Sequence, residues 1–166
     1  MRKKFAVLLL LAAVIFAAGC VAEETAEKGD TVAVYYTLSL DDGTVYESNV
    51  GKTPLSFTVG AGQMISGFDA AVEGMKVGET KKVRLSPAEA YGEITDDMLQ
   101  TMPVSYVIEN IGRVPAVGEA IPAMVNGYPK YLKIREVNED IVSFVPVGSP
   151  LAGEYLTFEI TLDSIA

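Results

Sequence analysis

In the first half of the chain a single short run carries a helical repeat, and strand-like segments flank it on both sides. In "MISGFDAAVEGM" (64–75), Ile65, Phe68, Val72 and Met75 recur at spacings of three, four and three, which makes one apolar stripe. Ser66 is placed to cap this helix, Asp69 suits its first turn, and Gly74 and Gly78 bracket its exit. Before it, "TVAVYYTLSL" (31–40) alternates and is rich in β-branched and aromatic residues, and "TVYES" and "LSFTV" are two further short strands. "DDG" at 41–43 is a hairpin turn signal. After it, "ETKKVRLSP" alternates again. One short helix among several strands predicts an α+β fold, a curved antiparallel sheet wrapped over that helix.

The sheet pattern then breaks. "LSPAEAYGEI" (85–94) ends a strand at a proline, and a strand pattern of the same kind returns only at "PLAGEYLTFEI" (150–160). The chain between reads as a small β-rich lobe. Thr95 is placed to cap a short helical start at "TDDM". Asn126-Gly127 stands between strand-like runs as a hairpin signal, and Asn138, Glu139 and Asp140 form a second turn. Prolines 115, 122 and 129 confine these strands to edges or bulges. Met98, Met102, Met124, Tyr106, Val107, Ile108 and Ile111 offer an apolar surface to extended chains or make the lobe's own core; the pattern fits both.

Several chemistries are excluded. The 166 residues contain no His, which removes Ser-His and Cys-His nucleophilic pairs, imidazole acid-base work and His-based metal sites. Net charge is −9 without basic clusters, so nucleic acid is not an expected partner. Gly60-Ala61-Gly62 invites a nucleotide reading, but Ile65 stands where the fingerprint needs a third glycine. Asp41-Asp42 and Asp96-Asp97 read as turn and helix-start residues rather than metal ligands, and no metal or cofactor is expected.

The amino terminus has a basic start, "MRKK", and an apolar run that ends in small residues before Cys20, the sole cysteine. This is a secretion-signal pattern over residues 1–19. The cysteine directly after it resembles a lipobox, with Ala17 where Leu is usual, which predicts a lipid on Cys20 and a protein held at the cell membrane on its extracytoplasmic side. A second reading is an uncleaved anchor: the run from Phe5 to Ala22 is slightly short of the roughly 20 residues a bilayer needs. Residues 20–27 read as a polar tether, with the fold beginning near Lys28.

"GDTVAVYYTLSLDDGTVYES", "PLSFTVGAGQMISGFDAAVEGMKVGETKKVRLSPAEAYGE" and "PLAGEYLTFEITL" together resemble an FKBP-type peptidyl-prolyl cis-trans isomerase, in order and spacing. The interruption resembles the SlyD-like branch, in which an insert-in-flap domain stands on the rim of the active site. The resemblance implies a discontinuous isomerase domain over 28–93 and 148–166 and an insert over 94–147. It implies that Tyr91 lines a pocket for the proline ring and donates its hydroxyl to a substrate carbonyl, with Phe68 as the floor. Tyr36, Tyr46, Leu55, Met64, Ile65 and Phe158 occupy the other pocket positions, and the Ile65 N–H faces the carbonyl beside the proline. Glu47 stands where many members have Asp. The family's flap histidine is absent here, and "GSPLAG" departs from the branch's usual lead-in. Each pocket position also fits ordinary core packing, although Tyr91 and Tyr46 lean toward the pocket because a half-buried phenol needs a polar partner.

Such chemistry needs few polar groups. The peptide C–N bond resists rotation by about 18–20 kcal/mol because resonance holds it planar. X-Pro bonds interconvert unaided in roughly 10–100 s. A water-poor pocket with fixed donors favours the twisted amide without a cofactor, metal or nucleophile. The expected function is prolyl isomerisation on unfolded or extracytoplasmic proteins, by a monomer whose insert binds chains in a chaperone-like way. The alternative is an FKBP-like module that grips proline-containing segments without turning them over.

Overall fold

The computed structural model describes residues 24–166, so the expected signal segment over 1–19 and the expected lipid site Cys20 lie outside the described residues. β1 (Thr31–Leu40) and β9 (Leu156–Ile165) are ten-residue neighbours at the middle of the main sheet. β2 (Val45–Ser48) and β3 (Leu55–Thr58) share the outer edge of β1, and β4 (Thr80–Leu85) lies beyond β9. All pairings are antiparallel. Register shifts at Ala33/Val34 and Leu38/Ser39 are bulges, which bend the sheet and sharpen its twist.

Strand alternation puts Val32, Val34 and Leu38 of β1 and Leu156, Phe158, Ile160 and Leu162 of β9 on the buried face. Against this face packs α1 (Ser66–Val72), which buries Phe68, Ala71 and Val72, with Met75 just beyond. Helix and sheet thus meet as the apolar stripe requires. Lys81 of β4 donates to the Ala71 carbonyl at 3.0 Å, a cation at the negative end of the helix.

The helix start differs from expectation. Ile65 is the N-cap residue and Ser66 the first helical one; Ser66 Oγ donates to the Glu89 carbonyl instead of capping. Asp69 does lie in the first turn, but its carboxylate accepts the Gly60 N–H at 2.9 and 3.0 Å. Gly67 allows the close approach of α1 to the end of β4: a Cβ there would lie 2.6 Å from Leu85 Cδ2.

The tether also joins the fold earlier than Lys28. Ala26 is 1% exposed, its N–H donates to Met75 O at 2.8 Å, and Thr25 bridges Lys76. Only backbone and one methyl group are used, so a polar composition conceals the contact.

Residues 96–147 form a second sheet in the order β5 (Gln100–Pro103), β8 (Ile141–Val147), β7 (Tyr128–Val137), β6 (Ala120–Val125), preceded by a 3-10 turn at Asp96–Met98. Thr95 occupies the cap position of that turn without a side-chain bond. Asn126 (φ 52°) and Gly127 (φ 82°) make the left-handed pair of the β6–β7 hairpin. Pro122 lies in the edge strand β6, and Pro129 lies where β7 has a neighbour on one side only, which spares a ladder donor in each case.

One element of this lobe is a helix that the sequence reading omitted, α2 (Val104–Ile111). Its β-branched content suggests a strand, yet Val104, Val107, Ile108 and Ile111 recur at i, i+3, i+4 and i+7. Val107 is buried with Ile134, Val142 and Phe144. Packing against the sheet has overridden intrinsic preference.

The two crossings between the lobes are clamped together. The Gly153 N–H donates to Gly92 O at 2.8 Å, and Ile94 packs with Val145, Val147, Ala152 and Tyr131.

Candidate active site

A cavity of about 200 Å³ opens where the main sheet, α1 and the end of β4 meet. Tyr36 and Leu38 reach it from β1, Glu47 from β2, Gln63, Met64 and Ile65 from the loop before α1, Phe68 from α1, Phe158 from β9 and Tyr91 from the turn after β4.

Its base is aromatic. The Phe68 ring, fully buried, meets Phe158 edge-on at 5.1 Å between centroids and 77°, and meets Tyr36 at 5.8 Å and 83°. Edge-to-face pairs align the positive rim of one ring with the negative face of the next, which fixes their orientation. Phe57 also packs on Phe68, tilted at 59° with 5.8 Å between centroids.

The polar atoms sit at the rim. Tyr36 hydrogen-bonds through its hydroxyl to Glu47, and its phenol is pushed up to about 12, chiefly by burial and then by that carboxylate. Tyr91 is 42% exposed; burial first, and the neighbouring Glu47 and Tyr46 next, raise its phenol above the usual value. Both therefore keep their protons at neutral pH. Among the described residues, neither the Tyr91 hydroxyl nor the Ile65 N–H has a hydrogen-bond partner.

Local structure holds these groups in place. Pro87–Glu89 form a 3-10 turn closed by a capping box, in which Glu89 Oε2 accepts the Ser86 N–H (2.9 Å) and hydroxyl (2.6 Å). The Gly92 N–H then donates back to Pro87 O at 2.8 Å, which fixes Tyr91 between two anchored residues. The loop that carries Met64 and Ile65 is tied down by Asp69 at Gly60 and by Gln63 Oε1, which accepts the Thr58 N–H at 2.8 Å.

Seven of the nine expected site residues line this cavity: Tyr36, Glu47, Met64, Ile65, Phe68, Tyr91 and Phe158. Two do not. Leu55 lies on β3 opposite Val34 and packs into the main core. Tyr46 falls at the β2 bulge, where Leu38 pairs with Glu47 and Ser39 with Val45; it is 49% exposed and stands beside Tyr91 at the rim. Leu38 and Gln63 are lining residues the sequence reading missed. Leu38 follows Tyr36 by two on the inward face of β1 and was legible from alternation; Gln63 carries no such signal.

A second, larger hollow of about 580 Å³ lies in the insert lobe between α2 and the β6–β7 hairpin. Met102, Tyr106, Val107, Ile111 and Met124, all expected at an apolar surface, line it; Met98 and Ile108 do not.

Comparison with known proteins decides the family. The model of the FKBP-type peptidyl-prolyl cis-trans isomerases matches residues 22–163. The chain belongs to the FKBP-type peptidyl-prolyl cis-trans isomerase family. It is 31% identical over 134 residues to the FKBP-type isomerase SlyD of Aeromonas hydrophila, a stretch covering 81% of this chain and 61% of that one. It is 31% identical over 153 residues to the short-type peptidyl-prolyl cis-trans isomerase of Methanocaldococcus jannaschii, covering 84% and 93%. It is 46% identical over 71 residues to FK506-binding protein 2 of Yarrowia lipolytica, covering 42% and 49%. The first two of these relatives are named as peptidyl-prolyl cis-trans isomerases. The FKBP fold accounts for the main sheet wrapped over α1, and the SlyD-like matches extend across most of the chain.

Proposed function

We propose that the chain catalyses cis-trans isomerisation of X-Pro bonds and that the 200 Å³ cavity is the catalytic site. The observation that carries this is the pairing of an aromatic, water-poor floor with two donors at its rim, the Tyr91 hydroxyl and the Ile65 N–H, that have no partner among the described residues. A prolyl ring seats on Phe68 between Tyr36 and Phe158. The apolar surroundings disfavour the charge-separated resonance form of the amide, and the two donors bind carbonyls in the twisted geometry. No bond breaks and no proton is transferred. Glu47 orients the Tyr36 phenol through their hydrogen bond, and the extra methylene relative to Asp leaves that bond intact.

The insert, residues 94–147 of a discontinuous arrangement with 28–93 and 148–166, serves as the chain-holding lobe in this reading. Its groove has methionine and aromatic walls, adaptable enough to accept varied apolar segments. Holding a segment there raises its effective concentration at the cavity. Lipidation of Cys20 would place both lobes at the outer face of the cell membrane, with unfolded extracytoplasmic proteins as clients of a monomer.

The test is turnover of a short proline peptide by the parent and by the Phe68→Ala and Tyr91→Phe variants. A large loss in the first and a smaller one in the second support the assignment. Parent-like rates in both overturn it, and binding without turnover by the parent makes the chain a non-catalytic proline-binding module.

A further inference from the structure

The outer edge of β1 contains a gap at the residue that walls the cavity. β9 pairs with β1 from Val32 to Leu40, but on the opposite edge β3 covers only Thr31–Val34 and β2 only Thr37–Ser39. Tyr36 lies in the interval with both of its backbone polar groups facing outward, and the Val34 carbonyl faces the same way.

Asn49, the residue after β2, fills that interval. Its Oδ1 accepts the Tyr36 N–H at 2.6 Å, its Nδ2 donates to Val34 O at 3.1 Å, and its own N–H donates to Tyr36 O at 3.2 Å. A carboxamide offers an acceptor and a donor side by side, as a strand neighbour's backbone does. Ser48 Oγ adds a fourth bond, to Tyr36 O at 3.1 Å. The Tyr36 ring, on the inward face, rests on Phe68 and Phe158 and bonds to Glu47, so a shift of its backbone moves one wall of the cavity.

We propose that Asn49 is a positioning residue of the isomerase site, its side-chain amide standing in for a missing strand and holding Tyr36 in register between β2 and β3. Unpaired backbone groups at that edge otherwise draw in water and let β1 shift. Displacements of about 1 Å at a reacting geometry cost up to about 100-fold in rate. The proposal rests on the assignment of the cavity as the proline site.

Two readouts in Asn49→Ala and Asn49→Asp test it: kcat/KM on a proline peptide, and the titration midpoint of Tyr36 followed by NMR of ring-labelled tyrosine, assigned with Tyr36→Phe. Asp keeps the acceptor for the Tyr36 N–H and loses the donor to Val34 O. The expected result for Ala is a 10- to 100-fold loss of kcat/KM, with the Tyr36 midpoint falling from about 12 toward 10.0 as the ring loses its seat beside Glu47. Asp is expected between Ala and the parent in both. An unchanged Tyr36 midpoint in folded Asn49→Ala overturns the proposal whatever the rate does, and failure of both variants to fold assigns Asn49 to folding instead. A shifted midpoint with parent-like turnover overturns it if Phe68→Ala is impaired. If Phe68→Ala is also unimpaired, the cavity assignment has failed, and the shifted midpoint still upholds the hold of Asn49 on Tyr36.

Discussion

Lys133 Nζ lies 2.5 Å from Glu154 Oε1, and the lysine that makes this contact is 4% exposed. It projects from β7 of the insert into the joint between the lobes. There it also donates to Pro150 O at 3.2 Å and Ala152 O at 3.0 Å, so one ammonium group organises the whole return crossing. Replacing Lys133 with Met keeps the apolar stem and strands two carbonyls, while the half-exposed Glu154 carboxylate turns to water. Unsatisfied buried acceptors cost about 1–3 kcal/mol each, so Lys133→Met is expected to lower unfolding stability by about 2–4 kcal/mol. Glu154→Gln, which keeps an oxygen acceptor for each of the three bonds and removes only the counter-charge of a half-exposed carboxylate, is expected to cost less than half of that. Urea unfolding measures both, and equal effects would refute this account of the joint.

Gly67 has a role that helix propensity alone would count against it. A Cβ at this position would meet Leu85 Cδ2 at 2.6 Å, Leu85 Cδ1 at 2.9 Å and Glu89 Cβ at 3.0 Å. Gly67→Ala is therefore expected to destabilise by about 1–3 kcal/mol through overpacking, although Ala is the better helix former. It should also lower peptide turnover, because Ile65 and Phe68 flank it and Glu89 leads to Tyr91. Adding Leu85→Ala removes the two closest contacts and leaves only Glu89 Cβ at 3.0 Å, so the double variant should recover turnover more than the two single losses predict.

These two residues mark the boundary of what the sequence discloses. The α1 stripe, the Asn126-Gly127 hairpin and the break between Tyr91 and Leu151 are local or periodic signals, and they sufficed for the sheet, the helix and the interruption. The floor of the cavity was legible because Phe68 lies on that stripe. Lys133 reads as one more polar residue in "YPKYLKIREV"; its burial depends on carbonyls 17 and 19 residues away. α2 was hidden by β-branched residues that its sheet contact tolerates. Tyr46 and Leu55 were placed in the site by resemblance, and a bulge in β2 and the register of β3 redirect them. Asn49 is invisible until the gap between two strands is known.

The site phenols give a prediction with a definite sign. Tyr36 is held at about 12 in the folded chain against 10.0 in its ordinary state, chiefly by burial and then by Glu47, and Tyr91 is raised for the same order of reasons. A raised pKa means that the folded state holds the proton more tightly. This contribution is complete below pH 10 and is lost as pH climbs through about 12. The urea midpoint should fall across that window, and Tyr36→Phe should flatten part of the fall. Turnover, in contrast, should be level from about pH 6 to 9, since the chain has no His and both phenols stay protonated there. A bell-shaped profile centred near neutrality would contradict a site that works without proton transfer.

Removal of the insert separates the tasks of the two lobes. Deleting 94–147 and joining Glu93 to Gly148 through a short glycine linker retains Leu151, which is buried in the main core, and the Gly153–Gly92 hydrogen bond that brings the two crossings together. It discards Ile94 and Lys133, so the truncated protein should be less stable than the parent, yet no residue lining the cavity is lost. Turnover of a short proline peptide should then survive, because such a peptide needs only the cavity. Acceleration of proline-limited refolding of a protein should fall by about 100-fold or more, since the groove between α2 and the β6–β7 hairpin no longer holds the chain beside the site. Narrower lesions in the intact chain, Met124→Ser and Tyr106→Ser, should reproduce the second effect in part and spare the first. Parallel loss of peptide and protein turnover in these point variants would show that the groove and the cavity act as one site, and the division between holding and turning would have to be abandoned.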